Sequence, residues 1–101
     1  MKYYMVVNCT PTDEAWIAKY LGPVTDLVHK HGGKYLVRTG NMERIEGDRP
    51  LPSVAVIVEW PSKKAAEAFY NDPKYAPFLQ MRLAGAENDT ILVAGEDIAA
   101  G

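Results

Sequence analysis

Successive side chains of an extended segment point to opposite faces, so a strand covered on one side alternates apolar with polar residues. Every extended segment of this chain departs from that rule. Over residues 2–9, Tyr3, Met5, Val7 and Cys9 point one way and Tyr4, Val6 and Asn8 the other, with apolar residues on both sides. Residues 34–38 set Leu36 against Tyr35 and Val37. Residues 53–60 are rich in β-branched side chains and set Val54, Val56 and Val58 against Ala55 and Ile57. Residues 90–94 set Leu92 against Ile91 and Val93.

Helical periods lie between these strands. Residues 14–31 carry Trp16, Ile17, Tyr20, Leu21, Val24, Leu27, Val28 and His31 at steps of one and three, one face of a 3.6-residue repeat. Thr10 or Asp13 can cap this helix, and Pro11 suits a first helical position. Pro23 has no N–H for the Lys19 carbonyl, so a kink or break is expected near Lys19–Gly22. Gly32-Gly33 ends the helix, because glycine takes the left-handed conformation at little cost. Residues 63–71, with Ser62 as cap, place Ala65, Ala66, Phe69 and Tyr70 on one side. Asp72-Pro73 stops that helix and starts another, over about 73–83, which holds Tyr75, Phe78, Leu79 and Arg82. Residues 41–52 form a polar connection, and Gly85 to Asp89 a turn.

The order is β-α-β-β-α-β with a split second helix. That pattern predicts an α+β, ferredoxin-like fold, a four-stranded antiparallel sheet with both crossovers on one face. The other face would then lie bare although it is apolar, and the chain has no spare element to cover it. A bare apolar face of several hundred Å² is not expected on a monomer. The economical solution is a second copy, sheet against sheet, in a two-fold homodimer.

Composition narrows the classes. A chain of 101 residues makes one domain, here 1–95, with a small polar tail at 96–101. Hydrophobic residues at 48% exclude disorder, and a net charge of −2 supplies no basic excess for nucleic acid. The central strands also lack the Lys/Arg-Gly-aromatic signature of an RNA-binding sheet. Cys9 is the single cysteine, so no intrachain disulfide forms. No signal peptide and no membrane-length apolar run are visible, so a cytoplasmic location and no membrane partner are expected. His29 and His31 are two apart and cannot share a helix face, and no zinc spacing or phosphate loop occurs, so neither metal nor cofactor is expected.

Several stretches together carry a resemblance: His31-Gly32-Gly33-Lys34-Tyr35-Leu36-Val37-Arg38, Glu46-Gly47-Asp48, Val56 to Ser62, and Phe69 to Tyr75 followed by Arg82. The sequence resembles the bacterial family known as domain of unknown function 1330, over about residues 3–95. That resemblance implies membership of the dimeric α+β barrel superfamily, in which two ferredoxin-like subunits join their sheets into a barrel. Relatives in the superfamily include cofactor-free monooxygenases, muconolactone isomerase-like proteins, haem-binding enzymes and proteins without known activity. At position 49 many members carry an aromatic residue; this chain has Arg49.

Candidate chemistry rests on a few polar residues among apolar ones. Arg38 ends an apolar strand, and a buried guanidinium needs a carboxylate or an anionic ligand. It either binds an anionic oxygen or pairs with Glu46 or Glu59. Glu46, in the loop, is a candidate with Arg38 for catalysis and binding, and Glu59 for a general base if burial raised its pKa. Tyr20, Tyr70, Tyr75 and Arg82 are candidate ligand contacts, since tyrosines can bind through hydroxyls while their rings fill the core. Cys9 reads as a small buried hydrophobe. Two functional readings follow. One is a cofactor-independent site for a small, partly apolar anionic molecule, with proton transfer or cofactor-free oxidation as its chemistry. The other is a non-catalytic sensor, carrier or structural dimer.

Overall fold

The computed structural model describes residues 1–100. The elements run β1 (Tyr3–Pro11), α1 (Ile17–Lys30), β2 (Lys34–Thr39), β3 (Val54–Trp60), α2 (Lys63–Tyr70), α3 (Ala76–Gly85) and β4 (Ala86–Ala94). The strands form one sheet in the order β2-β3-β1-β4, every neighbouring pair antiparallel. This is the predicted ferredoxin-like α+β arrangement. Its thinnest dimension, 17 Å, accommodates two layers, one of sheet and one of helices.

The register decides which residues face the helices. Met5 lies opposite Val58 and Leu92, Val7 opposite Val56 and Thr90, and Cys9 opposite Val54 and Asn88. Against this face α1 buries Val24, Leu27 and Val28, which fall three and four residues apart. α2 adds Ala66 and Phe69, and the α2–α3 junction adds Tyr75. Trp60 is the largest fully enclosed side chain. The opposite face carries Tyr4, Val6, Ala55, Ile57, Ile91 and Val93, and nothing among the described residues covers it. Ile91 and Val93 are exposed on it.

Several boundaries differ from the sequence expectation. α1 runs through Pro23 unbroken. The lost hydrogen bond falls on an exposed turn, where water can take over the Lys19 carbonyl. Pro11 ends β1 instead of starting the helix. The reason lies at the end of α3: the N–H groups of Thr12 and Asp13 donate to the Gly85 carbonyl at 2.9 and 3.2 Å. That tie holds residues 12–13 away from helical geometry. Asp13 instead closes a short turn by accepting from the Ala15 N–H. No turn separates α3 from β4, because Ala86 to Asp89 pair with Pro11 to Asn8. The Asn88 side chain bridges this junction, donating to the carbonyls of Arg82 and Ala86 at 3.1 and 3.0 Å. The Ser62 cap is present, accepting from Ala65 N–H at 3.1 Å. Gly32 adopts the left-handed conformation, φ 83°, as the end of α1 requires. In the tail, Asp97 organises residues 97–100 into a turn, and Gly101 lies outside the described residues.

A clamp ties the end of α1 to the α2–α3 junction. His31 Nε2 meets Asp72 Oδ2 at 2.8 Å, and Asp72 Oδ1 accepts from the Lys74 N–H at 2.9 Å. The His31 contact, followed by the Lys74 N–H, holds the Asp72 carboxyl below its usual range. A depressed folded pKa stabilises the protein above the unfolded value of about 3.9, and that contribution is lost as pH falls through the folded value. The Tm gap between wild type and Asp72→Asn is therefore expected at pH 7 and should close on acidification below about pH 4. A gap unchanged down to pH 3 would contradict it.

A second prediction concerns Gly85. A Cβ there would sit 2.4 Å from Trp16 Cδ1 and Nε1. Gly85→Ala is expected to destabilise by about 1–3 kcal/mol, the range for overpacking. The measurement is a lower urea midpoint at unchanged slope.

Candidate functional site

Between the sheet and α1 lies a cavity of about 700 Å³. Its floor is Met5, Val7, Cys9, Val54, Val56 and Val58, and its roof is α1 from Ile17 to Val28. The walls are overwhelmingly apolar. The charged groups on them are Arg38, Arg82 and Asp26.

Arg82 is the buried one, 5% exposed. α3 brings it under α1, where two tyrosines meet it. Its Nε donates to Tyr20 Oη at 3.2 Å and its Nη2 to Tyr75 Oη at 3.3 Å. The two hydroxyls lie 3.1 Å apart, joined by one hydrogen bond that either can donate. Each hydroxyl owns one proton, so one O–H is left without an acceptor in the protein. The Nη1 group of Arg82 is also buried and unpartnered. The cluster thus offers spare donors and one positive charge. Burial works against that charge, and the oxygens of Tyr75 and Tyr20 that accept from it work in its favour without carrying a neutralising charge. Burial, then Tyr75, raises the Tyr20 phenol against the pull of Arg82, so Tyr20 stays a neutral donor.

Aromatic packing fixes both phenols. Trp16 stands edge-on to Tyr20, with ring centres 5.2 Å apart, and its Nε1 donates to Gly85 O at 3.1 Å. The Tyr75 ring lies 4.4 Å from Phe69, which in turn packs on Trp60. Neither Trp16 nor Gly85 was singled out by the sequence. The only signal was a large indole beside a helix start and a glycine beside a strand start.

Arg38 reaches the cavity through a fault in the sheet. Tyr35 pairs with Val58, then a bulge intervenes, then Val37 pairs with Ile57 and Arg38 with Val56. Plain alternation from Tyr35 would aim Arg38 at the open face. The extra residue returns it to the helix side. There its Nη1 donates to Thr25 Oγ1 at 2.8 Å and its Cζ sits 3.8 Å from the Tyr35 ring centre. Among the described residues, ion pairs join Lys2 to Glu59, His31 to Asp72 and Lys63 to Glu67, and none includes an arginine.

The remaining candidates stand elsewhere. Glu46 lies on the exposed 41–53 loop and does not line the cavity. Its backbone carbonyl, like that of Arg49, accepts from Arg44, which organises the loop from within. Glu59 pairs with Lys2 at 3.0 Å on the open face, and that contact lowers its pKa, the reverse of what a general base there requires. Tyr70 is also outside this cavity. It stands edge-on to Tyr75 at 5.9 Å and lines a smaller cleft of about 240 Å³ beside β4. Tyr20, Tyr75, Arg82 and Arg38 are the candidates brought together. Cys9 joins them on the floor as a protonated thiol, because burial raises its pKa against the opposing charge of Arg82. No group of three or more His, Cys, Asp or Glu is gathered among the described residues.

The fold has well-matched counterparts. A protein of unknown function from Rhodopseudomonas palustris superposes with a TM-score of 0.81 at 17% identity, over 95% of this chain and 83% of that one. A dimeric ferredoxin-like protein of unknown function from a Jannaschia species gives 0.74 at 13% identity, over 93% and 99%. SnoaB, a cofactor-independent oxygenase from Streptomyces nogalater, gives 0.68 at 15% identity, over 99% and 98%. No protein of curated function matches in sequence. No helix among the described residues is long and apolar enough to cross a membrane. The family model for DUF1330, a domain of unknown function, matches residues 2–96, and the chain belongs to that family.

Proposed function

We propose that the cavity binds a small, mainly apolar organic anion, with an oxygen of the ligand held by Arg82, Tyr20 and Tyr75. One observation carries this reading: a guanidinium 5% exposed, in an apolar cavity, with no carboxylate to neutralise it. A buried charge without a counter-ion costs several kcal/mol, and a bound carboxylate or enolate would supply the missing partner. The volume, about 700 Å³, is within the range of ligand pockets. The same donor set would favour a reaction that builds negative charge on the bound oxygen, such as proton removal next to a carbonyl or oxidation without a bound cofactor.

The same proposal places a second copy of the chain on the open sheet face, giving a homodimer. The apolar residues of that face and the dimeric ferredoxin-like relative support it. Ile57→Lys is expected to give a monomer by light scattering, since a charge at the centre of an apolar interface is costly. A variant that remains dimeric would remove this face from the interface.

For the ligand, the test is titration of the protein's tryptophan fluorescence with benzoate and with benzamide. Trp60 lines the cavity and serves as reporter. Benzoate should bind more tightly, and Arg82→Met should remove about 10- to 100-fold of that affinity, as for loss of a charged hydrogen bond. The same variant should keep or raise Tm, because an apolar side chain replaces an uncompensated buried charge. Equal binding of acid and amide, or affinity unchanged in Arg82→Met, would overturn the assignment.

A further inference from the structure

Arg38 is the second positive charge of the same cavity, and nothing within the chain neutralises it. Its two contacts, the Thr25 hydroxyl and the Tyr35 ring, are both neutral. They orient the guanidinium without cancelling its charge, and they leave N–H groups free. Asp26, next to Thr25 on the lining, makes no ion pair with it. The carboxylates that could have served, Glu46 and Glu59, are respectively on the exposed loop and held by Lys2 on the open face.

The two guanidiniums come from different parts of the fold. Arg38 stands on β2, one edge of the sheet, while α3 carries Arg82 beside β4, the other edge. Their hydrogen-bond partners on α1, Thr25 and Tyr20, are five residues apart, about 7.5 Å of helix. In the sheet, Arg38 lies across from Val56 and then Val7, while the Arg82 carbonyl accepts from Asn88, which pairs with Cys9, two residues further along β1. That offset is two strand spacings and two residues, about 12 Å. The backbone anchors of the two arginines are thus on the order of 10 Å apart. The register puts Val56, Val7 and Cys9 on the floor between these anchors.

We infer that the cavity is built for a dianion: a ligand with one acidic group at Arg82, a second at Arg38 and an apolar body between them. This rests on the reading that Arg82 binds an anion, and extends it to the other end of the cavity. A monoacid at Arg82 leaves Arg38, at an exposed position, facing solvent without a counter-ion. A diacid of matching length gives each charge a counter-ion, in the paired geometry that guanidinium and carboxylate favour. The inference thus names a substrate class: planar or extended dicarboxylic acids and their enolic equivalents.

The test compares benzene-1,4-dicarboxylate and naphthalene-2,6-dicarboxylate with their half-amides, which keep the shape and remove one charge. Binding is read by tryptophan fluorescence and checked by calorimetry, with benzoate as the monoacid. At least one diacid should bind about tenfold or more tightly than its half-amide, the value of one added charged contact. Arg38→Gln, at an exposed position, should abolish that advantage and weaken benzoate by a smaller factor than it weakens the diacid. Arg82→Met should weaken acid and half-amide alike. If both diacids match their half-amides, or the advantage survives Arg38→Gln, the dianion inference fails while the Arg82 reading stands on benzoate. If wild type does not prefer benzoate to benzamide, the Arg82 reading fails and the dianion inference falls with it.

Discussion

A positive charge buried in an apolar wall without a carboxylate is the constraint on which this site turns. Phenol oxygens can accept from Arg82, and two do. They cannot neutralise it, because Tyr20 is itself held as a neutral phenol. A sequence serving stability alone would place an apolar side chain there, since such replacements of buried charges are often neutral or stabilising. The neighbouring polar atoms are under-used as well: Asn88 Oδ1 is buried without a partner. The cluster around Arg82 therefore holds more hydrogen-bonding capacity than the described residues consume, as a site completed by a ligand would.

The scaffold around that charge is rigid in ways unrelated to the chemistry. Gly85 accepts three hydrogen bonds at one carbonyl, from Thr12, Asp13 and Trp16, and so ties the start of α1 to the end of α3. Trp16 then braces Tyr20. At the other side, the His31–Asp72 clamp fixes the short turn that delivers Tyr75. The two phenols thus come from elements pinned independently, and they converge to 3.1 Å. Positions fixed before binding lose little entropy on binding. The ties at the junction of α3 and β4 also hold Arg82 and Tyr20 in place.

Much of this was legible in the residues, and what was not has a physical reason. Apolar residues on both faces of each strand revealed a sheet with an uncovered side, because period-2 alternation is strict. Arg38, Tyr20, Tyr75 and Arg82 were candidates from residue type and element placement. Spacing alone could not show that Arg38 faces the helices, since alternation from Tyr35 aims it the other way and the bulge after Tyr35 reverses it. Glu46 and Glu59 were attractive as partners only while their directions were unknown. Register sends Glu59 to the open face beside Tyr4, and the loop turns on Arg44 and not on Glu46. The start of β4 was hidden because Ala86 to Asp89 have weak strand propensity, and their pairing with the far end of β1 overrides it.

The two faces of the sheet divide the protein's tasks. Val6 and Ile57 alternate along the same strands with Val7 and Val58, so one side can be buried against a second subunit while the other lines a cavity. On the proposed reading, substitutions on the open face would act on assembly and those on the helix face on binding, with little cross-talk expected beyond shared backbone. Relatives at 13–17% identity share this fold. A common architecture leaves the chemistry to the side chains each chain adds to it. In this chain those additions are the guanidiniums of Arg38 and Arg82, one aimed by a bulge and one by a helix that runs directly into a strand. Their separation across an apolar floor, more than the fold, is what would select a ligand.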